Sequence, residues 1–168
     1  MIEPAANMMI FLDTEFTDFI DCELISIGMI SEDGQHQFYA ERNDFRKTRC
    51  SPFVRSEVLP LIGQDGALQL SRHKLHRALW KWFSELPCAV QIGCDYSGDW
   101  ELLCDALIDY AQTSLPAGIT GRVDLNSYLS DPAYELALRR FYNPDRPPHH
   151  ALYDAMARRA GWLAIREE

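Results

Sequence analysis

Two carboxylates stand at the end of a short apolar run, a place where charged side chains are costly. The run is residues 10–12 (IFL), and Asp13, Thr14 and Glu15 follow it. Side chains on an extended chain alternate between faces, so Asp13 and Glu15 point the same way and Thr14 points the other way. Two like charges side by side repel each other, and burial without a partner adds a further cost. The pattern predicts a metal ion, an Arg or Lys partner, or open water beside this pair.

Further candidate residues lie where predicted elements begin. Asp99 starts the helix after a predicted central strand, and Asp154 lies in the first turns of the last helix, just after His149 and His150. Functional sites often form where such ends meet at one edge of a sheet. Each residue also has a structural interpretation. Asp99 could cap its helix, Asp154 could pair with Arg158 four residues later on a solvated face, and the histidines could be surface side chains.

Phosphodiester hydrolysis is one chemistry that uses several carboxylates and a histidine together. Two Mg²⁺ or Mn²⁺ ions about 4 Å apart hold the scissile phosphate and help to activate the attacking water. Hard divalent ions prefer oxygen ligands, so several carboxylates must converge on them. A histidine, with an ordinary pKa of about 6.5, can take the proton from that water.

Hydrophobic periodicity predicts the elements that must position these residues. An antiparallel meander is predicted for strands at residues 8–13, 23–30 and 36–41, with a turn at 32–35. A short helix is predicted after Pro52. The sequence then predicts helical spacing at 75–86, a strand at 88–94, helical spacing at 100–111, a strand near 122–125, a helix at 132–141 and a last helix from about His149. The order predicts an α/β fold: a mixed sheet of three antiparallel strands, then alternating helix and strand, with helices packed on it.

Bulk composition narrows the function classes. The chain has 168 residues, is 47% hydrophobic and 24% charged, and carries a net charge of −9. We expect a flexible leader at residues 1–8 and a single domain at residues 9–168. The acidic balance argues against coating nucleic acid with a broad basic face, but an acidic pocket filled with metal can still take a strand end. No signal peptide or membrane span is recognisable, so we expect a cytoplasmic protein without membrane contact.

Three segments resemble the exonuclease motifs of the DEDDh superfamily. They are DTEF at residues 13–16, GCDYSGDWELL at 93–103 and HHALYDA at 149–155. This superfamily comprises ribonuclease H-like 3′-5′ exonucleases such as ribonuclease T, oligoribonuclease and polymerase proofreading domains. The resemblance spans about residues 9–163 and is closest to short bacterial exoribonucleases that open with DTEF, some of which prefer polyadenylate.

The resemblance implies a role for each acidic motif residue. Asp13 would bridge two metal ions, Glu15 and Asp154 would hold the metal that carries the attacking water, and Asp99 would bind the second metal through water. The middle motif departs from the pattern, because many relatives have His-Asn before a Phe-Asp pair. Asp99 is assigned because a helix continues from it, and Asp95 is the rival.

The same resemblance assigns the base and the substrate contacts. His149, and not His150, would be the general base. Phe16 would lie against the terminal base of the substrate, unless it only packs in the core. Backbone groups near Phe16 and Thr17 would hold the 3′-hydroxyl. Relatives are often homodimers, so a homodimer is also expected.

The expected function is a 3′-5′ exoribonuclease that uses two divalent cations, Mg²⁺ or Mn²⁺. It would release nucleoside 5′-monophosphates from single-stranded 3′ ends of RNA. One alternative is a catalytically silent RNA-binding module on the same fold, and another is an exonuclease that acts on DNA. A phosphatase of the haloacid-dehalogenase type also begins with an Asp at a strand end, but it requires Asp-x-Asp, and Glu15 departs from that pattern.

Overall fold

The computed structural model of the protein describes residues 7–64 and 66–166, and within them six strands form one sheet. They are β1 (Met8–Phe16), β2 (Leu24–Ser31), β3 (Gln37–Arg42), β4 (Gln69–Leu70), β5 (Val90–Cys94) and β6 (Ile119–Asp124). Residues 1–6 of the predicted leader lie outside the described residues, while Met8 already pairs with Val90.

The order of strands across the sheet is β4-β3-β2-β1-β5-β6. β1, β2 and β3 form the predicted antiparallel meander. β5 and β6 add in parallel beside β1, and the two-residue β4 adds in parallel beside β3. The sheet is therefore mixed, and β1 lies at its centre with an antiparallel neighbour on one side and a parallel neighbour on the other.

Helices cover both faces of the sheet. They are α1 (Arg72–Ser84), α2 (Ser97–Leu107), α3 (Pro132–Phe141) and α4 (Ala151–Arg166). Ile10 and Leu12 of β1 are buried in a cluster with side chains of α1 and α2, whereas Met9 and Phe11 are buried in a cluster with Ala155 of α4. This alternation confirms the predicted mixed α/β fold, which is consistent with a ribonuclease H-like architecture. No helix among the described residues is long and apolar enough to cross a membrane.

Several element boundaries differ from the prediction. α2 ends at Leu107, although helical spacing of apolar residues continues to Ala111. The Asp109 carboxylate accepts hydrogen bonds from the backbone N–H groups of Ala111 and Gln112, and this local turn replaces another turn of helix. β4 was not predicted, because a two-residue edge strand has no periodicity. The predicted short helix after Pro52 is a π-helix over Val54–Val58.

Gly28 of β2 allows the first turn of α4 to lie directly on the sheet. It is the register partner of Asp13. A Cβ atom at this position would lie 2.3 Å from the backbone nitrogen of Leu152 and 2.4 Å from the backbone carbon of Ala151. The start of α4 therefore approaches β2 backbone to backbone, which brings the residues at that end of the helix close to the end of β1.

We predict that Gly28→Ala strongly destabilises the protein. The added methyl group meets backbone atoms that cannot rotate away, and overpacking of this kind costs about 1–3 kcal/mol or more. Urea unfolding should show a lower free energy of unfolding than in the wild type. The control is Gly118→Ala, where a Cβ atom meets nothing within 4 Å. Equal effects of the two substitutions would contradict the close approach.

Candidate active site

The end of β1 carries the first two carboxylates on the face that α4 covers. Asp13 is only 5% exposed. Its Oδ1 lies 3.0 Å from Nη1 of Arg158 on α4, and its buried Oδ2 has no hydrogen-bond partner among the described residues. Of the three surroundings predicted for the pair of carboxylates, an arginine partner is therefore the one that the structure shows at Asp13, and it contacts one of the two oxygens.

Glu15 meets one residue just before α4, His149, and one in its first turn, Asp154. One potential ligand atom from each of Glu15, His149 and Asp154 lies within 4.8 Å of the others. The Asp154 carboxylate is held from two sides: Oδ1 accepts a hydrogen bond from the Tyr142 hydroxyl at 2.8 Å, and Oδ2 accepts one from the His149 backbone N–H at 3.1 Å. Three of the predicted site residues, from segments far apart in the sequence, thus converge.

His149 and His150 have different surroundings. The backbone of His149 is left-handed, with φ of 66°, a conformation that costs a non-glycine residue about 1–2 kcal/mol. Its ring meets the Phe53 ring edge-on, with centroids 5.0 Å apart. The His150 ring is stacked between Tyr39 and Tyr153 at 4.5 Å and 4.1 Å, so it is a packing residue. His149 is the histidine that reaches the carboxylates.

Asp99 is held by β1 and does not cap its helix. The residue at the N-cap position of α2 is Tyr96, and no side chain caps there. The buried Asp99 Oδ1 instead accepts hydrogen bonds from the Thr14 hydroxyl at 2.6 Å and the Thr14 backbone N–H at 3.2 Å. The rival Asp95 is bound to Arg158 at 2.8 Å. Thr14, which points away from Asp13 as predicted, thus ties the middle motif to the first.

Burial raises the pKa values of the four carboxyl groups, and neighbouring carboxylates add to the shift at Asp13 and Glu15. Burial is the largest cause at each. It raises the pKa of Glu15 to about 8, and the neighbouring carboxylate charges add to this shift. The pKa of Asp99 rises to about 6, because burial outweighs the hydrogen bonds it accepts. The pKa values of Asp13 and Asp154 are also raised, although the charge of Arg158 opposes the shift at both.

These residues fit a divalent metal site. Asp13 offers a buried oxygen without a hydrogen-bond partner among the described side chains, and Glu15 and Asp154 offer oxygens close to each other. Carboxylate oxygens are the ligands that Mg²⁺ and Mn²⁺ prefer. Bound cations would favour the charged forms that burial now disfavours. Asp13, Glu15, Asp154 and Asp99 are therefore the candidates to hold metal.

An exposed aromatic cluster lies next to Asp99, and the sequence predicted only one of its members. The Phe16 ring is stacked with the Tyr96 ring, with centroids 5.8 Å apart, and meets the Phe19 ring edge-on at 5.4 Å. Phe19 is 76% exposed and Tyr96 is 42% exposed. The signal for Phe19 and Tyr96 in the sequence was their position within a few residues of Glu15 and Asp99, respectively.

Thr17 is buried and bonded within the protein. Its backbone N–H donates to the Glu23 carbonyl, its hydroxyl accepts from the Glu23 N–H, and its carbonyl accepts from the Ser51 N–H, each at 2.9–3.0 Å. Thr17 therefore closes the loop that carries Phe19. A contact between the substrate and Thr17 stays a prediction, and its backbone N–H is already used.

The interpretation of Arg158 as a partner of Asp154 on a solvated face is wrong. The Arg158 side chain is 13% exposed and pairs with Asp13 and Asp95. Burial alone lowers the pKa of the guanidinium, but the charges of Asp13 and Asp95 outweigh that effect and hold the pKa above its ordinary value. No sequence signal identified Tyr142, and the one signal for Arg158 was its spacing of four residues from Asp154, because neither residue lies in a motif.

Comparison with known proteins supports an exonuclease. No protein-family model matches this chain. Two curated proteins of Mycobacterium tuberculosis (strains CDC 1551 / Oshkosh and ATCC 25618 / H37Rv), each named as a 3′-5′ exoribonuclease, are 46% identical to this chain over 56 residues. The match covers 33% of this chain and 33% of each relative, so the chain spans about a third of the length of the curated relatives it matches. Over that third, the chain is similar to 3′-5′ exonucleases.

Without divalent metal, we predict that the free energy of unfolding falls as the pH rises from about 4 to about 8. A carboxyl group whose pKa is higher in the folded chain than in the unfolded chain stabilises the fold while it is protonated. This stabilisation is lost as the pH rises through the folded value, which is about 6 for Asp99 and about 8 for Glu15. Urea unfolding in the presence of EDTA at several pH values measures the effect.

The matched variants for this measurement are two glutamate substitutions. Glu15→Gln removes the group with the pKa of about 8 and should flatten the decline at the alkaline end of the range. Glu85→Gln, at an exposed position after α1, should leave the decline as in the wild type. A metal-free wild type whose stability increases from pH about 5 to about 8 would contradict the raised pKa values.

Proposed function

We propose that this protein is a 3′-5′ exoribonuclease that depends on two divalent cations, Mg²⁺ or Mn²⁺. The observation that carries the proposal is the convergence of Glu15, Asp154 and His149 beside the buried carboxylate of Asp13, one oxygen of which has no hydrogen-bond partner among the described residues. The names of the partial relatives support the same activity. The products would be nucleoside 5′-monophosphates released from single-stranded 3′ ends. The DEDDh assignment, a homodimer and a cytoplasmic location are parts of the proposal that rest on the sequence.

The cations would be held by Asp13, Glu15, Asp154 and Asp99. When bound, they would supply Lewis-acid stabilisation to the scissile phosphate and lower the pKa of the attacking water. In the reaction, the water oxygen forms a bond to the phosphorus, and the bond from the phosphorus to the 3′-oxygen of the preceding nucleotide breaks. That 3′-oxygen takes a proton, and the terminal nucleotide leaves as a 5′-monophosphate.

His149 is suited to be the general base. The hydrogen bond from its backbone N–H to Asp154 fixes the residue beside the carboxylates, and the edge-on Phe53 ring limits the rotation of its imidazole. A ring nitrogen among the candidate ligand atoms can accept the proton of the attacking water. Asp154 would thus act both as a metal ligand and as the residue that positions the base.

The aromatic cluster of Phe16, Phe19 and Tyr96 is the proposed contact for the bases at the 3′ end. Phe19 and Tyr96 are exposed, and the Tyr96 carbonyl accepts a hydrogen bond from the Asp99 backbone N–H at 3.2 Å, which places the cluster beside Asp99. Aromatic side chains stack on any base, which suits an enzyme that removes successive nucleotides of differing sequence. The acidic surface would offer little to a long duplex, so a short single-stranded end is the expected substrate.

The first test is degradation of an RNA oligonucleotide labelled at its 5′ end, with Mg²⁺ or Mn²⁺. We predict a ladder that shortens from the 3′ end, and nucleoside 5′-monophosphates as products. A DNA oligonucleotide of the same sequence distinguishes the DNA-directed alternative, and a small phosphomonoester distinguishes a phosphatase. RNA binding without shortening under both metals would support the silent RNA-binding module and contradict the proposed activity.

Two neighbouring histidines provide a matched pair of variants. His149→Asn keeps a residue that tolerates the left-handed backbone but removes the base, and should lower kcat by roughly 10²–10⁴-fold. His150→Asn removes only ring stacking, so it should lower the melting temperature and leave kcat near the wild-type value when both are assayed well below that temperature. Asp154→Asn should abolish cleavage. Equal activity of the two histidine variants would show that the base is misassigned.

The aromatic cluster is tested by Phe19→Ala. Loss of a base stack of about 1 kcal/mol should raise KM for short RNA about fivefold and leave kcat nearly unchanged, because Phe19 does not touch the reacting atoms. Tyr110→Ala, which removes a fully exposed aromatic ring from the loop after α2, is the control. An unchanged KM for Phe19→Ala would exclude this surface as the base contact.

A further inference from the structure

Arg158 is a buried cation in direct contact with a proposed metal ligand. It lies one turn after Asp154 on α4, and 13% of its side chain is exposed. Nη1 is 3.0 Å from Asp13 Oδ1, and Nη2 is 2.8 Å from Asp95 Oδ1. The guanidinium therefore bridges the first motif, at the end of β1, and the residue that follows β5.

The bridge leaves the two oxygens of Asp13 in different states. Oδ1 is taken by the guanidinium, while Oδ2 is buried and has no hydrogen-bond partner in the described part of the chain. A fixed Oδ1 also fixes the direction of Oδ2, because the carboxylate is planar. Arg158 thus orients Asp13 before any metal arrives, and its charge offsets the repulsion among the carboxylates.

Asp95 is the second carboxylate that pairs with the Arg158 guanidinium. Its side chain is 19% exposed, and its backbone carbonyl accepts a hydrogen bond from the Asn126 side chain, which ties it to the segment after β6. Asp95 and Arg158 together are neutral. The pair therefore places a cation beside Asp13 without adding net charge to the site.

We propose that Arg158 is a positioning residue: a resident counter-ion that holds Asp13 in the metal-free protein and competes with divalent cations for it, while Asp95 moderates that competition. The inference rests on the proposed metal-dependent function and concerns residues outside the roles assigned above. It predicts that substitutions at Arg158 and Asp95 change metal affinity in opposite directions.

The expected directions follow from the charges. Arg158→Met removes a cation adjacent to a ligand oxygen, so Mn²⁺ should bind about tenfold more tightly, whereas the melting temperature in EDTA should fall because Asp13 loses its only ion-pair partner among the described residues. Asp95→Asn removes an anion and leaves the full charge of Arg158 on Asp13, so Mn²⁺ should bind several-fold more weakly. Arg158→Lys retains the charge and should keep the affinity near the wild-type value.

The experiment is a titration of each purified variant of this chain with Mn²⁺, in which free Mn²⁺ is measured from its electron paramagnetic resonance signal. Melting temperatures in EDTA are recorded alongside. Arg77→Met, at an exposed position on α1, is the control for replacing an arginine and should change neither quantity. No RNA is present, so the outcome does not depend on nuclease activity. The Mn²⁺ titration can therefore contradict the role of Arg158 independently of the result of the nuclease assay.

Opposite shifts of Mn²⁺ affinity for Arg158→Met and Asp95→Asn would support the proposal. A residue that only supports the fold would weaken binding in both variants, so shifts in the same direction would overturn it, as would an unchanged affinity in Arg158→Met. If Arg158→Met does not fold in EDTA, Asp95→Asn still tests the proposal. Tighter or unchanged Mn²⁺ binding by Asp95→Asn would contradict it, because Asp95 would then not moderate the charge of Arg158.

Discussion

The site depends on one steric constraint, the backbone contact between β2 and the first turn of α4 at Gly28. No side chain separates the two elements there, and a Cβ atom would lie 2.3 Å from the Leu152 nitrogen. Because Gly28 is the register partner of Asp13, the contact determines how far His149 and Asp154 are from β1. A larger residue would move the helix outwards, and the carboxylates would no longer share one site.

The close approach has an electrostatic consequence. It removes water from around acidic groups of like charge, and the pKa of Glu15 rises to about 8 as a result. Raised pKa values of this kind predict a fold that is less stable at neutral pH than at pH about 4, and strongly shifted pKa values are common at functional sites. Arg158 offsets part of the repulsion at Asp13. The remaining negative charge is what would attract divalent cations.

Both faces of the sheet contribute to the site, because β1 alternates. Asp13 and Glu15 face α4, and Thr14 on the opposite face holds Asp99 at the start of α2 through two hydrogen bonds. The position of the middle motif is thus set by β1 and not by capping of its own helix. The aromatic cluster lies at the same place, because Phe16 is the last residue of β1 and Tyr96 is the N-cap residue of α2.

Local patterns were sufficient for the class of fold, and the motif resemblance named Glu15, His149 and Asp154, which the structure brings together. Apolar runs and helical spacing predicted the meander and the main helices, because burial imposes a period of two or 3.6 residues on the sequence itself. They failed where local hydrogen bonds ended the helix before the apolar pattern ended, as at Asp109 after α2.

The partners of Arg158 were decided only by tertiary structure. Along the chain its nearest carboxylate is Asp154, one turn away, whereas the packing of α4 on the sheet buries the guanidinium between Asp13 and Asp95. Charges interact through space, and a sequence pattern does not contain those distances.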